Sequence, residues 1–356
     1  MESGADTQNM REHILLQGEA ARETLRKNRK RVEELAEELK FEKILITGAG
    51  DKLIVPYIAS FIWKAFGKKP IEIMHSRTLA DFLPAYIDRE TLAIFVSQSG
   101  KTKDTLDAAR KVAEKNARML AITNLKEREE NSLWFIEEHG GIVLNTYTPI
   151  YPERALPSTL TFHASLILLY HLLSQLAGKD IYAELEALAE KVGEVSRESE
   201  GWGKEKAGEL MKFNGLCKYV LGDGPRYGIA RKLALIMLME GAKENAAAIE
   251  TEEFVHSLIE TLEEENERKL PLLIFLPPHP TYESKIAELW KKHAYVLEIE
   301  APEVSENPAL NNLLSPQVQV IPAEWLAYYL AVFKGADPGV GKMVKKVRSE
   351  EILKGD

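Results

Sequence analysis

The stretch from Thr91 to Thr105 constrains this chain more than any other. An apolar run with β-branched members, Thr91-Leu-Ala-Ile-Phe-Val, ends abruptly in Ser97-Gln98-Ser99-Gly100-Lys101-Thr102. Beyond it, Leu106, Ala109, Val112 and Ala113 fall on one helical face. The pattern predicts a buried strand, a short polar loop and a helix N-terminus. Unpaired backbone N–H groups and the positive end of the macrodipole make such a terminus suitable for an anion. Ser97, Ser99 and Thr102 add hydroxyl donors, Gln98 adds an amide, and Gly100 lets the backbone approach closely. Ser99 or Thr102 alone could serve simply as an N-cap. Four donors in six residues exceed what one cap needs, so the loop is expected to cradle a phosphate.

The same strand–helix alternation runs through the 356 residues. Residues 8–41 carry helical periodicity and read as one or two N-terminal helices. Strands are expected at Lys43–Gly48, Pro70–His75, Thr91–Ser97, Arg118–Thr123 and Gly141–Leu144, with helices at Ile54–Phe66 and Thr159–Ala177. A charged helical segment, Ala183–Met211, leads to a second alternation: strands Cys217–Leu221, Pro271–Phe275, Ala294–Glu298 and Gln317–Ile321, and helices Arg226–Asn245 and Glu324–Phe333. Lys334–Asp356 reads as a coil-like tail. Strands alternating with helices imply mostly parallel α/β sheets covered on both faces. A strand, a Gly-x-Gly turn and a helix occur twice, at Gly48/Gly50 and Gly222/Gly224, about 174 residues apart. That spacing suggests two similar halves.

Several function classes are disfavoured. Leu53 and Tyr227 occupy the third-glycine position of the dinucleotide fingerprint, so the Gly-x-Gly turns read as tight βα turns. The eight histidines include no His-x-x-x-His pair, so no metal site is expected, and His163 and His171 read as core or surface residues. A net charge of −9 argues against a nucleic-acid surface. No apolar run approaches the roughly 20 residues that span a bilayer, and the N-terminus lacks a signal-peptide core, so neither membrane nor secretion is expected. The single cysteine, Cys217, allows no internal disulfide, fits a reducing cytoplasm and reads as a core thiol.

With these motifs in place, the chain resembles the sugar isomerase (SIS) domain family over about Lys43 to Val347. The resemblance is to the tandem arrangement in the isomerase half of glucosamine-6-phosphate synthase and to archaeal-type glucosamine-6-phosphate deaminases. Ser97-Gln98-Ser99-Gly100-x-Thr102-x-Asp104-Thr105 resembles the family's phosphate loop, and Glu153-x-x-x-x-Ser158-Thr159 its second sugar-phosphate segment. Glu240, with His256 sixteen residues later, keeps the spacing of the synthase's catalytic glutamate and ring-opening histidine. Leu326-Ala-Tyr-Tyr, Lys334-Gly-Ala-Asp337-Pro338 and Lys346-Val347 resemble the helix and tail that carry a lysine into the site.

The resemblance implies two tandem flavodoxin-like, doubly wound parallel sheets with flanking helices. The expected division is N-terminal helices 1–42, a first SIS domain 43–182, a linker helix 183–210, a second SIS domain 211–333 and a tail 334–356 that closes the site. It implies phosphate contacts from Ser97, Gln98, Ser99 and Thr102, with Gly50, Lys52, Glu153 and Ser158 beside them. Glu240, within an apolar helix, would shuttle a proton between C1 and C2 of an open-chain sugar phosphate, its carboxyl raised by burial. His256 would open the ring from a neighbouring subunit, which implies a homodimer with a shared site. Lys346, or Lys345 if the tail register slips by one, would form a Schiff base or anchor substrate.

Departures from the family narrow the expectation. Asp51 and Lys52 stand where Thr-Ser is usual, Met237 and Leu160 where the synthase has lysines, and the Gly339–Lys342 region where the tail has Pro-Arg. About 42 residues, without cysteine, precede the first strand, so no glutaminase domain is expected. The expected reaction is deamination with isomerisation of glucosamine 6-phosphate to fructose 6-phosphate and ammonia, without metal or cofactor, in the cytoplasm. An aldose–ketose phosphosugar isomerase or a fructosamine-6-phosphate deglycase would use the same residues. A non-catalytic sugar-phosphate sensor is the alternative from another class.

Overall fold

The computed structural model describes residues 8–262, 270–341 and 343. The charge-rich start forms one continuous helix, α1 (Gln8–Glu38), whose buried face includes Ile14, Ala21, Leu25, Val32 and Leu35. There follow β1 (Lys43–Gly48), α2 (Asp51–Phe66), β2 (Ile71–His75), α3 (Ser76–Asp81), β3 (Thr91–Ser97), α4 (Lys103–Ala113), β4 (Arg118–Thr123), α5 (Phe135–Glu138) and β5 (Ile142–Asn145). These five strands form one parallel sheet in the order β2-β1-β3-β4-β5. Every residue of β3 is buried, as a central strand covered on both faces requires. Its alternation is visible in the packing. Leu92, Ile94 and Val96 join the core beneath α2, whereas Ala93 and Phe95 join the core beneath α4.

Helix α6 (Leu160–Leu176) is buried from Leu160 through Ser174. A helix apolar all round belongs inside the molecule, and α6 packs against both α1 and α2. The charged segment after it divides at Ser199 into α7 (Tyr182–Glu198) and α8 (Glu200–Leu210). They pack against α1 and against the last helix respectively. The second half contains β6 (Lys218–Leu221), α9 (Pro225–Arg231), a π-helix (Lys232–Ala242), β7 (Ala246–Ile249), α10 (Thr251–His256), β8 (Pro271–Phe275), α11 (Tyr282–Trp290), β9 (Tyr295–Ile299), α12 (Pro308–Leu314) and α13 (Pro316–Phe333). Its strands are also parallel, in the order β7-β6-β8-β9. The chain is thus an α/β protein with two parallel sheets flanked by helices. No helix among the described residues is long and apolar enough to cross a membrane.

Three sequence expectations change. Gln317–Ile321, expected as a strand, is the start of α13. Its β-branched apolar run reads the same for a buried strand as for a buried helix. The polar members are spent on burial: Gln319 Nε2 donates to the carbonyls of Leu276 (2.7 Å) and Ile299 (2.6 Å), which ties α13 to the ends of two strands. The strand that completes the second sheet is instead β7, whose Ala-rich sequence carries little strand propensity. Cys217 is half-buried rather than in the core, and burial raises its thiol.

His163 and His171 both lie fully buried on α6. The His171 ring packs edge-on against Tyr182, centroids 5.3 Å apart. Burial lowers its pKa to about 4, against about 6.5 in an unfolded chain. Between those values the unfolded chain binds more protons, so stability falls as pH drops, by on the order of 3 kcal/mol for this group. Thermal melts from pH 7 to pH 4.5 should therefore show a flatter decline for His171→Gln than for the unaltered protein. Parallel declines would remove His171 as the source.

Candidate active site

Four segments converge at the carboxyl ends of the first sheet's strands. Between β1 and β3 the strand order reverses, and open α/β sheets bind ligands at such switch points. The chain leaves β1 through Gly48-Ala49-Gly50. A Cβ on Gly48 would lie 2.2 Å from the Lys52 carbonyl oxygen, and Gly50 has φ of 57°, so the turn requires glycine at both positions. It delivers Asp51 and Lys52 to the first turn of α2.

The loop after β3 does the same for α4. Thr102 occupies the N-cap position, but its hydroxyl makes no cap bond and instead pairs with Ser97 Oγ at 3.1 Å. Ser99 Oγ accepts a bond from Lys101 N at 3.2 Å, which folds the loop on itself. Gly100, at φ 60°, backs against Leu125, and its carbonyl accepts from Leu133 N at 2.8 Å. The hydroxyls are therefore not consumed by helix capping.

The third segment, Glu153–Thr159, opens α6, and the fourth is the π-helix. Together the four line a cavity of about 600 Å³ with Gly50, Asp51, Lys52, Gln98, Ser99, Thr102, Ser158, Ile236 and Glu240 among its walls. Of the expected site residues, Gly50, Lys52, Gln98, Ser99, Thr102, Ser158 and Glu240 thus meet in one space, although Glu240 is remote in sequence from the rest. Glu240 is half-buried on the cavity wall, not sunk in the apolar interior as expected. Ser97 is buried behind the lining and holds Thr102.

Two expected residues lie elsewhere. Glu153 does not line the cavity. Its Oε1 accepts from the backbone N–H groups of Thr159 (2.6 Å) and Leu160 (2.9 Å), and Oε2 from Thr161 N (3.2 Å), so it caps α6. A carboxylate bonded to a helix N-terminus serves the fold directly. His256 ends α10 with its side chain 68% exposed, 3.5 Å from Glu252, and does not line its own chain's cavity. Lys346 and Lys345 lie outside the described residues.

The cavity floor holds a charge cluster the sequence did not disclose. Lys232, at the start of the π-helix and fully buried, places Nζ 3.1 Å from Asp51 Oδ1. Lys52 Nζ lies 3.4 Å from Asp51 Oδ2 and 3.3 Å from Thr161 Oγ1, while Ser158 donates its hydroxyl to Asp51. Burial pushes the Asp51 carboxyl up, but the charges of Lys232 and Lys52, with the Ser158 bond, outweigh it and hold it below its usual range. Burial lowers the Lys52 ammonium, against the opposing pull of Asp51 and Glu153. The available signal for Lys232 was weak, a lysine after Arg231 that opens the apolar run Leu-Ala-Leu-Ile-Met. Among the described residues no cluster of histidine, cysteine and carboxylate side chains is arranged to hold a metal.

Comparison with known proteins shows what the chain is similar to. Residues 39–175 match the family model for the SIS domain. The glutamine–fructose-6-phosphate aminotransferase (isomerizing) of Pyrococcus horikoshii is 25% identical over 353 residues, covering 95% of this chain and 57% of that protein. The chain spans about half the length of the curated relatives it matches. Among solved structures, the C-terminal domain of glucosamine-fructose-6-phosphate aminotransferase from Francisella tularensis superposes with a TM-score of 0.73 at 21% identity, covering 94% of this chain and 98% of that one. Glucosamine-6-phosphate deaminase from Thermotoga maritima gives a TM-score of 0.66 at 19% identity, covering 90% and 96%. Residues 39–175 thus match a SIS domain, and the likeness of the remainder to these structures is one of fold.

Replacing Glu153 by Gln removes the charge and one acceptor from three helix-terminal amides inside the protein. The expected cost is about 1–2 kcal/mol of unfolding free energy, read from urea denaturation. An unchanged midpoint would contradict the capping role.

Proposed function

We propose that this chain is a phosphosugar enzyme of the SIS type and that it converts glucosamine 6-phosphate to fructose 6-phosphate and ammonia. One observation carries the proposal: Gln98, Ser99 and Thr102 share a cavity with Glu240, a carboxylate from the other half of the chain. Donors at one end suit a phosphate, and a cavity of about 600 Å³ is large enough for a hexose phosphate.

In this proposal the phosphate rests in the loop Ser97–Thr102, with the N-termini of α2 and α4 directed at it. Glu240 takes the proton from C2 of the ring-opened aminosugar and returns it at C1. The resulting ketimine at C2 adds water and loses ammonia, leaving the ketose. His256 of a second copy of the chain opens the ring; its exposure and absence from its own chain's cavity fit delivery in trans. Lys346 retains the role the resemblance implies. The buried apolar residues Met237 and Leu160 stand where the synthase has lysines, which favours release of ammonia over its capture.

The test is release of ammonia and fructose 6-phosphate from glucosamine 6-phosphate by the purified protein and by Glu240→Gln. Removal of a general base predicts a loss of about 10²–10⁴-fold in kcat. Conversion of aldose to ketose phosphates without ammonia release would replace deamination by plain isomerisation. Binding of sugar phosphate without any turnover would leave a sensor.

A further inference from the structure

The segment that carries Glu240 is not an ordinary helix. Lys232–Ala242 is π-helical over all eleven residues. π-helical hydrogen bonding is rare, mostly limited to single turns, and concentrated at functional sites. Both ends of this segment are held by buried charges that the proposed chemistry does not use.

At its start, Lys232 Nζ pairs with Asp51, donates to the Ser158 carbonyl and lies 4.6 Å from the Phe162 ring centroid. Asp51 and Ser158 belong to the first half, in the wall beside the phosphate loop. At its end, Lys243 adopts a left-handed conformation (φ 57°), unfavourable for a residue with a Cβ. Glu244 follows, buried, and bonds to both Lys218 and Lys334. Lys334 also donates to the carbonyls of Ala242 (3.2 Å) and Lys243 (2.9 Å), two acceptors left over at the helix end.

A buried ion pair seldom adds stability over an apolar pair of the same volume, because desolvation consumes the attraction. Such a pair can instead fix a register, since removing Asp51 strands two buried lysines and removing Lys232 leaves Asp51 to Lys52 and Ser158 alone. We propose that Asp51 and Lys232 are positioning residues: their pair anchors the π-helix against the phosphate-binding half and so sets where Glu240 stands relative to a bound phosphate. This rests on Glu240 acting on the substrate, as proposed above. Leu235, Ile236, Met239 and Glu240 share the cavity-facing side of the helix, so a shift at Lys232 is transmitted to the wall that meets the sugar.

The experiment compares Lys232→Met, Asp51→Asn and the double variant with the unaltered enzyme. Lys232→Met should lower the melting temperature and reduce kcat about 100-fold, the scale of a misplacement near 1 Å. KM should change much less. The double variant, which leaves only Lys52 without its carboxylate where Asp51→Asn leaves two lysines, should regain part of the melting temperature lost in Asp51→Asn while kcat stays low. Recovery of kcat together with melting temperature would reduce the pair to a structural role and overturn the proposal. Hydrogen exchange separates this outcome from a failure of the functional proposal. In Lys232→Met, amides across 235–242 should exchange at least tenfold faster while those of the first sheet are unchanged, whether or not the protein turns over the sugar. Equal protection would also overturn the proposal.

Discussion

β1 and β3 lie side by side in parallel, and the helices that follow them leave on opposite faces of the sheet. The rest of the site depends on this divergence. It opens a crevice at the strand ends and points two helix N-termini into it, the arrangement that gives open α/β sheets their ligand sites. Gly48 and Gly50 permit the turn into α2, and Gly100 permits the turn into α4. The third wall comes from α6, whose N-terminal amides are occupied by Glu153. The fourth comes from the second half of the chain, brought over by the pairing of α2 with α6 and α9 and by the buried Asp51–Lys232 contact.

The buried charges explain how this chain departs from the pattern it resembles. Asp51 and Lys52 look, in sequence, like lost hydroxyl contacts. In three dimensions Asp51 lies between two lysines and Ser158, so neither substitution stands alone: the aspartate offsets a cation that belongs to the other half. Removing one partner from such a cluster costs far more than removing all of it, because an unpaired charge would remain in a poorly solvated place. Burial leaves Lys52, on the cavity wall, with a lowered tendency to hold its proton despite the pull of Asp51, beside the loop proposed to receive a phosphate. A dianion there would favour the charged lysine, coupling binding to proton uptake.

Much of the first sheet was legible because a doubly covered parallel strand must be an apolar run that stops at a turn, and Thr91–Ser97 does both. The position of the polar loop was legible for a related reason: polar residues ending such a strand must lie at its carboxyl end, where Gln98, Ser99 and Thr102 line the cavity. What failed was long-range or ambiguous. Gln317–Ile321 carries β-branched residues, yet burial on all sides of α13 overrode that preference. Ala246–Ile249 carries almost no signal, since its alanines are placed by their neighbour β6 and not by their own propensity. Glu153 and Ser158 sit five apart in sequence, but only the fold reveals that one caps α6 while the other faces the cavity. The Asp51–Lys232 pair spans the two halves, and no local pattern encodes such a contact.

The central claim is that one cavity holds a sugar phosphate with its phosphate at Ser97–Thr102 and its reactive carbons at Glu240. A crystal structure of the protein with bound fructose 6-phosphate tests this most directly. The account predicts phosphate oxygens within about 3 Å of the Ser99 and Thr102 donors, with C1 and C2 facing the Glu240 carboxylate. A phosphate bound elsewhere, or a sugar whose C1 and C2 point away from Glu240, would contradict it.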